Sequence, residues 1–481
     1  MNKIKIYGFG ALFASCFIFT SCEHFLGEAP DERLTINTLE KVNQTLTSAY
    51  QNSRGYRFTH FCTDDVTLTE GVYDTDPIIE DLYSWSQNFQ EQTHQDSPSE
   101  YWRVSYASIA AVNHALEAMK GIHIDEVDRG KAAAIEGEAL IMRSYCHFML
   151  LNLFCKSYDS QTASTDLGIP YVTEPERELE VNYERGTVED AYKQAESDLE
   201  EGIRLLEANS QYFKTNKYHF TFPTVYLYAS RFYTFRNRDS KDVAQAISFA
   251  EKSIKAFGGV NVMRPWKDYA SDDQGPIDVN QEEVGMVQNS YSWHSFNWIY
   301  QSTLGISGKQ WARNPLRFSD NRIVYSYKRS GDIFVPAFYF VYDTTTGAEA
   351  SAIDLFPIAE AVLNAAEGYA RSDQPDLAIK YIGYLERTVY SNFNAAKLTI
   401  ENLKAAWSTE DTKEALIQTV LFERRLQFLF KGMRWFDIRR YQLEVEHLLK
   451  DGTTIKLSQQ VPDRTFQIPN YAIAAGMQPN N

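Results

Sequence analysis

Residues that build metal, redox or nucleophile sites are scarce in this chain. It has five cysteines and nine histidines in 481 residues, with no CxxC and no Cys/His cluster, so it offers no zinc site. Cys146 and Cys155 stand nine residues apart on one predicted helix, point to opposite sides and cannot bridge each other within it. Buried small hydrophobes are the expected state of such thiols. There is no G-x-S-x-G elbow, no H-E-x-x-H, no phosphate-cradling glycine loop and no D-x-D-x-D calcium loop. Carboxylates are abundant, which leaves a glycosidase pair open, yet no particular pair stands out. Of the histidines only His294, between Trp293 and Ser295, draws attention. Positive charge is also short: the net charge is −17, which excludes nucleic acid as a partner and disfavours broad contact with anionic lipid. No catalytic residue, cofactor or metal is expected.

A long apolar run occurs at the N terminus. Lys3 and Lys5 precede an apolar stretch from Ile6 to Phe19, closed by Thr20-Ser21-Cys22. It is too short to span a membrane and reads as a secretion signal over 1–21. A cysteine where small residues end the run fits a lipoprotein cleavage site, with Cys22 becoming the acylated first residue. The alternative is an ordinary secretory signal with Cys22 as a spare thiol. Removal of 1–21 leaves 460 of the 481 residues, enough for two domains or one large helical one.

Past an acidic linker at 22–37, helical periodicity dominates the chain. Thr38 to Ser53 is predicted as a first helix, and Thr63-Asp64-Asp65 opens a loop-like stretch to about Ser99. Tyr101 to Met119 and Asp128 to Phe154 are the next helices, and Thr187 caps another that carries Glu189 and Asp190 in its first turn. Phe222 to Phe257 and Leu355 to Tyr390 resemble one another as helix-turn-helix units. Tyr226, Ala229 and Tyr233 precede Asp242-Val243-Ala244, and Leu363, Ala366 and Tyr369 precede Asp376-Leu377-Ala378. Small residues on facing helices with a polar turn between are what tetratricopeptide hairpins need. The fold expected is mainly α: degenerate tetratricopeptide-like hairpins forming a right-handed scaffold. Its helical parts cover 38–257 and 354–481.

Between them lies a loop-rich insertion, 258–353, holding Trp266, Trp293, Trp298 and Trp311 amid Gly, Ser, Asn, Tyr and Asp. Alternation over Arg322 to Tyr327 and Phe338 to Tyr342 predicts short strands. Aromatic rings on loops offer flat apolar faces for sugar C–H edges, while neighbouring polar groups hydrogen-bond hydroxyls. Asn289, Tyr291, Trp293 and Trp298 have that mixture, Trp311 extends it, and Tyr73 and Trp85 join from the earlier loop-like stretch. The bland reading is that these rings fill gaps beneath long loops.

The helix Leu421 to Tyr441, LFERRLQFLFKGMRWFDIRRY, is apolar on two sides, so Glu423, Arg424, Arg425, Arg434 and Asp437 keep their charge only if paired. Gly432 interrupts it as a left-handed helix end. With Trp435 and Arg439 this run resembles the C-terminal signature of the SusD/RagB family. Other landmarks occur in order: Trp102 to Asn113, Glu138 to Tyr145, Gly168-Ile169-Pro170, and Ile468-Pro469. Arg425 and Gln427 depart from the family pattern, where an acidic or small residue and a glutamate are more common.

The resemblance implies a surface-exposed, lipid-anchored lipoprotein of the outer membrane that captures oligosaccharides without altering them. It would pass them to a SusC-like TonB-dependent transporter as its lid. Glu23, Glu28, Asp31 and Glu32 after Cys22 resemble the export signal of surface lipoproteins in the Bacteroidetes. A relative that takes peptides or another nutrient is the alternative within the family, and a surface glycoside hydrolase is the alternative outside it.

Overall fold

The computed structural model describes residues 35–52, 55–68, 77–86, 97–177, 183–268, 282–290, 300–302, 314–320, 327–330, 333–336, 339–342, 349–429, 431–457 and 464–480. Helices α1 (Leu39–Asn52), α2 (Pro77–Tyr83), α3 (Pro98–Gly121), α4 (Arg129–Phe154), α5 (Val188–Ala208), α6 (Phe222–Arg236) and α7 (Ser240–Phe257) come first. After the insertion come α8 (Ile358–Arg371), α9 (Pro375–Val389), α10 (Ile400–Trp407), α11 (Thr412–Gln427), α12 (Met433–Tyr441) and α13 (Asn470–Ala474). They pack as neighbouring pairs, α1 with α3, α4 with α5, α6 with α7, α8 with α9 and α10 with α11, and the pairs stack through α3 on α4, α7 on α8 and α8 on α11.

Local chemistry sets the helix starts. Ser97 accepts from the Glu100 amide at 3.0 Å with Pro98 in the first turn, and the Thr187 hydroxyl accepts from the Asp190 amide at 3.1 Å. Asp239 and Asp411 do the same for α7 and α11. The expected hairpins at Phe222 to Phe257 and Leu355 to Tyr390 are α6/α7 and α8/α9. The stretch expected as loop between Thr63 and Ser99 holds a strand and α2, whose Ile78, Ile79, Leu82 and Tyr83 are buried. One apolar face of seven residues is too short a period to read, and its partners lie far off in sequence.

Polar residues of the sequence landmarks join the hairpins internally. Arg143 of α4 forks onto Asp198 of α5 with both bonds at 2.7 Å and donates to Asn113 of α3 at 3.1 Å. Glu138 accepts from the Tyr50 hydroxyl at 2.9 Å. Arg231 of α6 forks onto Glu360 of α8 at 2.7 and 2.6 Å, both residues being buried. The same guanidinium donates to the Leu355 carbonyl at 2.6 Å and lies 4.1 Å over the Phe356 ring.

The strands are short and antiparallel. β1 (Val66–Leu68) pairs with β3 (Tyr300–Ser302), and β2 (Val287–Ser290) and β6 (Tyr339–Tyr342) flank β7 (Glu349–Asp354). β4 (Tyr327–Ser330) pairs with β5 (Ile333–Pro336), and β8 (Glu446–Leu448) with β9 (Thr454–Lys456). Cys62, Cys146 and Cys155 are buried free thiols, and burial pushes Cys146 up to about 12 and Cys155 up to about 11.

Two buried histidines make stability depend on pH. The His147 Nδ1 lies 2.9 Å from the Arg143 carbonyl while its Nε2 accepts from the Val172 amide at 3.0 Å, an arrangement that requires the neutral ring. Burial lowers both His60 and His147 to about 3. A depressed histidine stabilises the fold fully above its unfolded value near 6.5 and loses that contribution as pH falls toward 3. Each therefore costs about 2 kcal/mol between pH 7 and pH 5. Asp354, raised by burial to about 6, works the other way and returns roughly 1 kcal/mol on the same descent. Urea melts are expected to show a net loss of about 2–3 kcal/mol from pH 7 to pH 5, and H147Q to lessen that slope.

Candidate functional site

The elements that adjoin the aromatic-bearing stretches meet at one corner of the stack. There β1 pairs with β3 and touches β8, and α2 rests on the 3-10 turn Arg57–Cys62 that leads into β1. In the ladder Leu68 stands opposite Tyr300 and Val66 opposite Ser302. Leu68 adjoins the stretch that contains Tyr73, and Tyr300 adjoins the one that contains Tyr291, Trp293 and Trp298. Trp311 lies nine residues beyond Ser302.

Trp85 is half-buried at this corner, just past the end of α2, in the left-handed region with φ +54°. Its indole Nε1 donates to the Cys62 carbonyl at 3.0 Å, and its ring stacks on His447 of β8 with centroids 4.4 Å apart and planes 18° off parallel. The imidazole of His447 also stacks on Tyr83, at 4.1 Å and 1°. The Tyr83 hydroxyl donates to the Leu448 carbonyl at 3.0 Å.

Charge pairs from the C-terminal signature support this corner from below. Arg425 donates to the Asp65 carboxylate at 2.6 Å and to the Asp64 carbonyl at 2.8 Å, and Arg434 forks onto the Asp64 carboxylate at 2.9 and 3.0 Å. Burial works to raise Asp64, but Arg434 and Arg425 outweigh it and hold the carboxyl well below its usual range. Asp65 is raised by burial, with Arg425 pulling against it. Arg425, one of the departures from the family pattern, thus reaches the residues just before β1.

The rest of the signature is internal. Arg424 donates to Asp437 at 2.9 Å and to Asn364 at 3.0 Å, and Glu423 accepts from the Tyr390 hydroxyl at 2.5 Å. Arg439 donates to the carbonyls of Asn152 and Cys155, and Trp435 is buried beside Phe466, ring centroids 5.9 Å apart. Gly432, at φ +80°, separates α11 from α12.

Of the ligand-binding residues expected from the sequence, Trp85 has its side chain at this corner. Asn289 sits in β2 opposite Ala352 of β7. Tyr73, Tyr291, Trp293, Trp298 and Trp311, with Cys22 of the expected lipid anchor, lie outside the described residues. Trp266 is half-buried under the Arg264 guanidinium, 4.7 Å from its ring centroid. His447 and Tyr83 join Trp85 at this corner, with Asp64 and Asp65 beneath them, and sequence reasoning does not place them there. The alternation at Val445 to Leu448 around His447 is the one local signal, and it is three residues of strand long.

Among the described residues no group of three or more His, Cys, Asp or Glu is arranged to hold a metal ion, and no helix is long and apolar enough to cross a membrane. A stack of paired helices carrying small antiparallel sheets, with an aromatic platform at one corner, defines a helical-repeat scaffold protein. A family model described as "Starch-binding associating with outer membrane" matches residues 24–234, and the model of the SusD family matches residues 209–473. The chain belongs to the SusD family.

Solved structures share the fold. A putative sugar binding protein from Bacteroides vulgatus superposes with a TM-score of 0.70 at 21% identity, over 93% of this chain and 99% of the other. A SusD superfamily protein from Bacteroides thetaiotaomicron gives 0.68 at 17% identity, over 92% and 100%. A SusD-like carbohydrate binding protein from Bacteroides vulgatus gives 0.66 at 15%, over 91% and 96%. No curated protein matches the chain.

Proposed function

We propose that this protein is a surface-exposed, carbohydrate-binding lipoprotein of the outer membrane, tethered through Cys22, that catches oligosaccharides and hands them to a SusC-like TonB-dependent transporter as its lid. The observation that carries the reading is the β1–β3 ladder beside Trp85. Leu68 and Tyr300, chain neighbours of the stretches with Tyr73 and with Tyr291, Trp293 and Trp298, stand opposite each other, and β1 touches β8, whose His447 stacks on the half-exposed indole of Trp85. Membership of a family with a starch-binding, outer-membrane description supports it, as do structural neighbours described as sugar or carbohydrate binding.

Binding in this reading is non-covalent. Rings cover the apolar faces of sugar units, Asn289 and its polar neighbours take hydroxyls, and the insertion 258–353 supplies most of the contacts. The helical stack acts as the rigid base, and the acyl chains keep it at the membrane.

Affinity electrophoresis through gels containing soluble starch and a panel of other polysaccharides tests the assignment. Replacing Trp293, Trp298 or Trp311 with alanine is expected to weaken retention about tenfold, from the loss of one stacking contact, and to leave the melting temperature unchanged. Unchanged retention in all three variants removes these residues from the site. Retention on no glycan, with binding of peptides in calorimetry, overturns the choice of ligand.

A further inference from the structure

We infer that His447 is the positioning residue for the Trp85 platform, backing the indole by stacking while its two ring nitrogens grip the backbone of two separate segments. The inference rests on the assignment of Trp85 to the ligand site, which it deepens. The left-handed backbone at Trp85 closes α2: the Trp85 amide donates to the Leu82 carbonyl at 3.3 Å and the Ser86 amide to the Asp81 carbonyl at 2.8 Å, so the helix end places the residue and the contacts of the side chain set the ring. Among the described residues the indole is held by the Cys62 carbonyl on Nε1 and by the imidazole 4.4 Å away against its face.

What fixes the imidazole is its edge. Nδ1 lies 2.6 Å from the Tyr83 carbonyl oxygen and Nε2 lies 2.8 Å from the Thr63 carbonyl oxygen. A carbonyl oxygen only accepts, so both contacts are hydrogen bonds when both nitrogens carry protons. The neutral ring donates to one and turns a lone pair toward the other. With both bonds made, His447 ties α2 to the residue that precedes Asp64. With one, it releases either the α2 side or the β1 side, and Trp85 hangs from the same two sides through Tyr83 and Cys62. The grip on the platform therefore depends on the protonation of this one ring.

The groups around the ring set that protonation. Stacked Tyr83 and Trp85 favour the cation through their π faces, and Asp64, from the segment before β1, favours it through its charge. Burial opposes it and lowers His447 from its usual value. Behind Asp64 stand Asp65, Arg425 of α11 and Arg434 of α12, which pair among themselves. On β8 and its turn, Glu446 pairs with Lys456 and Lys450 with Glu80 of α2 at 2.9 Å.

The test labels the full chain with 5-fluorotryptophan and tracks the Trp85 ¹⁹F resonance, assigned by its loss in W85F. In the wild type it is expected to move between pH 7.5 and pH 5. In H447F, which keeps a flat ring and loses both bonds, and in H447Q, which does not titrate, it is expected to be displaced and to stay fixed with pH. A Trp85 resonance at the same position in H447F, H447Q and wild type overturns the positioning role, and a wild-type resonance that does not move with pH overturns the dependence of the grip on protonation. Gel retention on the polysaccharides above separates this from the ligand assignment. W85A is expected to lose retention and H447F to lose part of it. Full retention by W85A removes Trp85 from the ligand site while the NMR arm still decides the role of His447.

Discussion

Replacing Arg231 with methionine is expected to destabilise the protein by about 3–5 kcal/mol in urea or guanidinium melts, because it leaves Glu360 buried with its partner gone. The guanidinium makes both bonds to that carboxylate, at 2.7 and 2.6 Å, and neither residue is more than 1% exposed. The methionine keeps most of the packing volume, so the loss reports the unpaired charge rather than a cavity. The double variant R231M/E360M is expected to regain much of the stability, since two apolar side chains do not carry the desolvation cost of an ion. A coupling energy near zero in that cycle would mean the pair is not an energetic unit. The insertion's return is tied to this pair: Arg231 also donates to the Leu355 carbonyl, where β7 hands the insertion back to α8. R231M is therefore expected to weaken glycan retention as well as stability.

Gly432→Ala is expected to cost about 3–5 kcal/mol, the sum of two independent effects. At φ +80° an L side chain crowds its own backbone. A Cβ there would also meet the Tyr56 carbonyl oxygen at 2.5 Å and the Thr59 hydroxyl at 2.6 Å. Those atoms have little room to move, since the Thr59 hydroxyl is held to the Tyr56 carbonyl at 2.7 Å and to the Gly432 carbonyl at 2.8 Å. The displaced element is the 3-10 turn Arg57–Cys62, whose last carbonyl holds the Trp85 indole. Denaturant melts measure the loss of stability, and gel retention measures the disturbance of the platform. A change under 1 kcal/mol would show that α12 shifts freely against the turn.

Much of the scaffold is legible in the residue pattern for a local reason. A cap such as Thr187, small residues such as Ala229 and Ala366, and glycine at 432 act within a few positions of where they stand, whereas the Ser97 cap lies in the stretch that reads as loop. The paired charges of the signature are required by the apolar faces on both sides of it, and Arg424 on Asp437 and Arg434 on Asp64 meet that requirement. Their partners are not legible: Asp64 and Asp65 stand some 360 residues before Arg425 and nothing local marks them. The same holds for the site. Trp85 is visible as an aromatic in a polar stretch, but its backing ring is His447, and the strand that faces β1 is β3. Such pairings are properties of the assembled stack. The insertion's aromatic residues stand out by composition alone, which names a chemistry and leaves its geometry open.

The β1–β3 ladder also bears on the order of assembly. Val66 cannot find Ser302, nor Thr63 find His447, until the intervening hairpins have closed the distance, whereas α6 and α7 meet across a few residues. This corner is therefore the last part the nascent polypeptide acquires: a chain halted after α7 would hold stacked helices and neither the β1–β3 ladder nor the ring that backs Trp85.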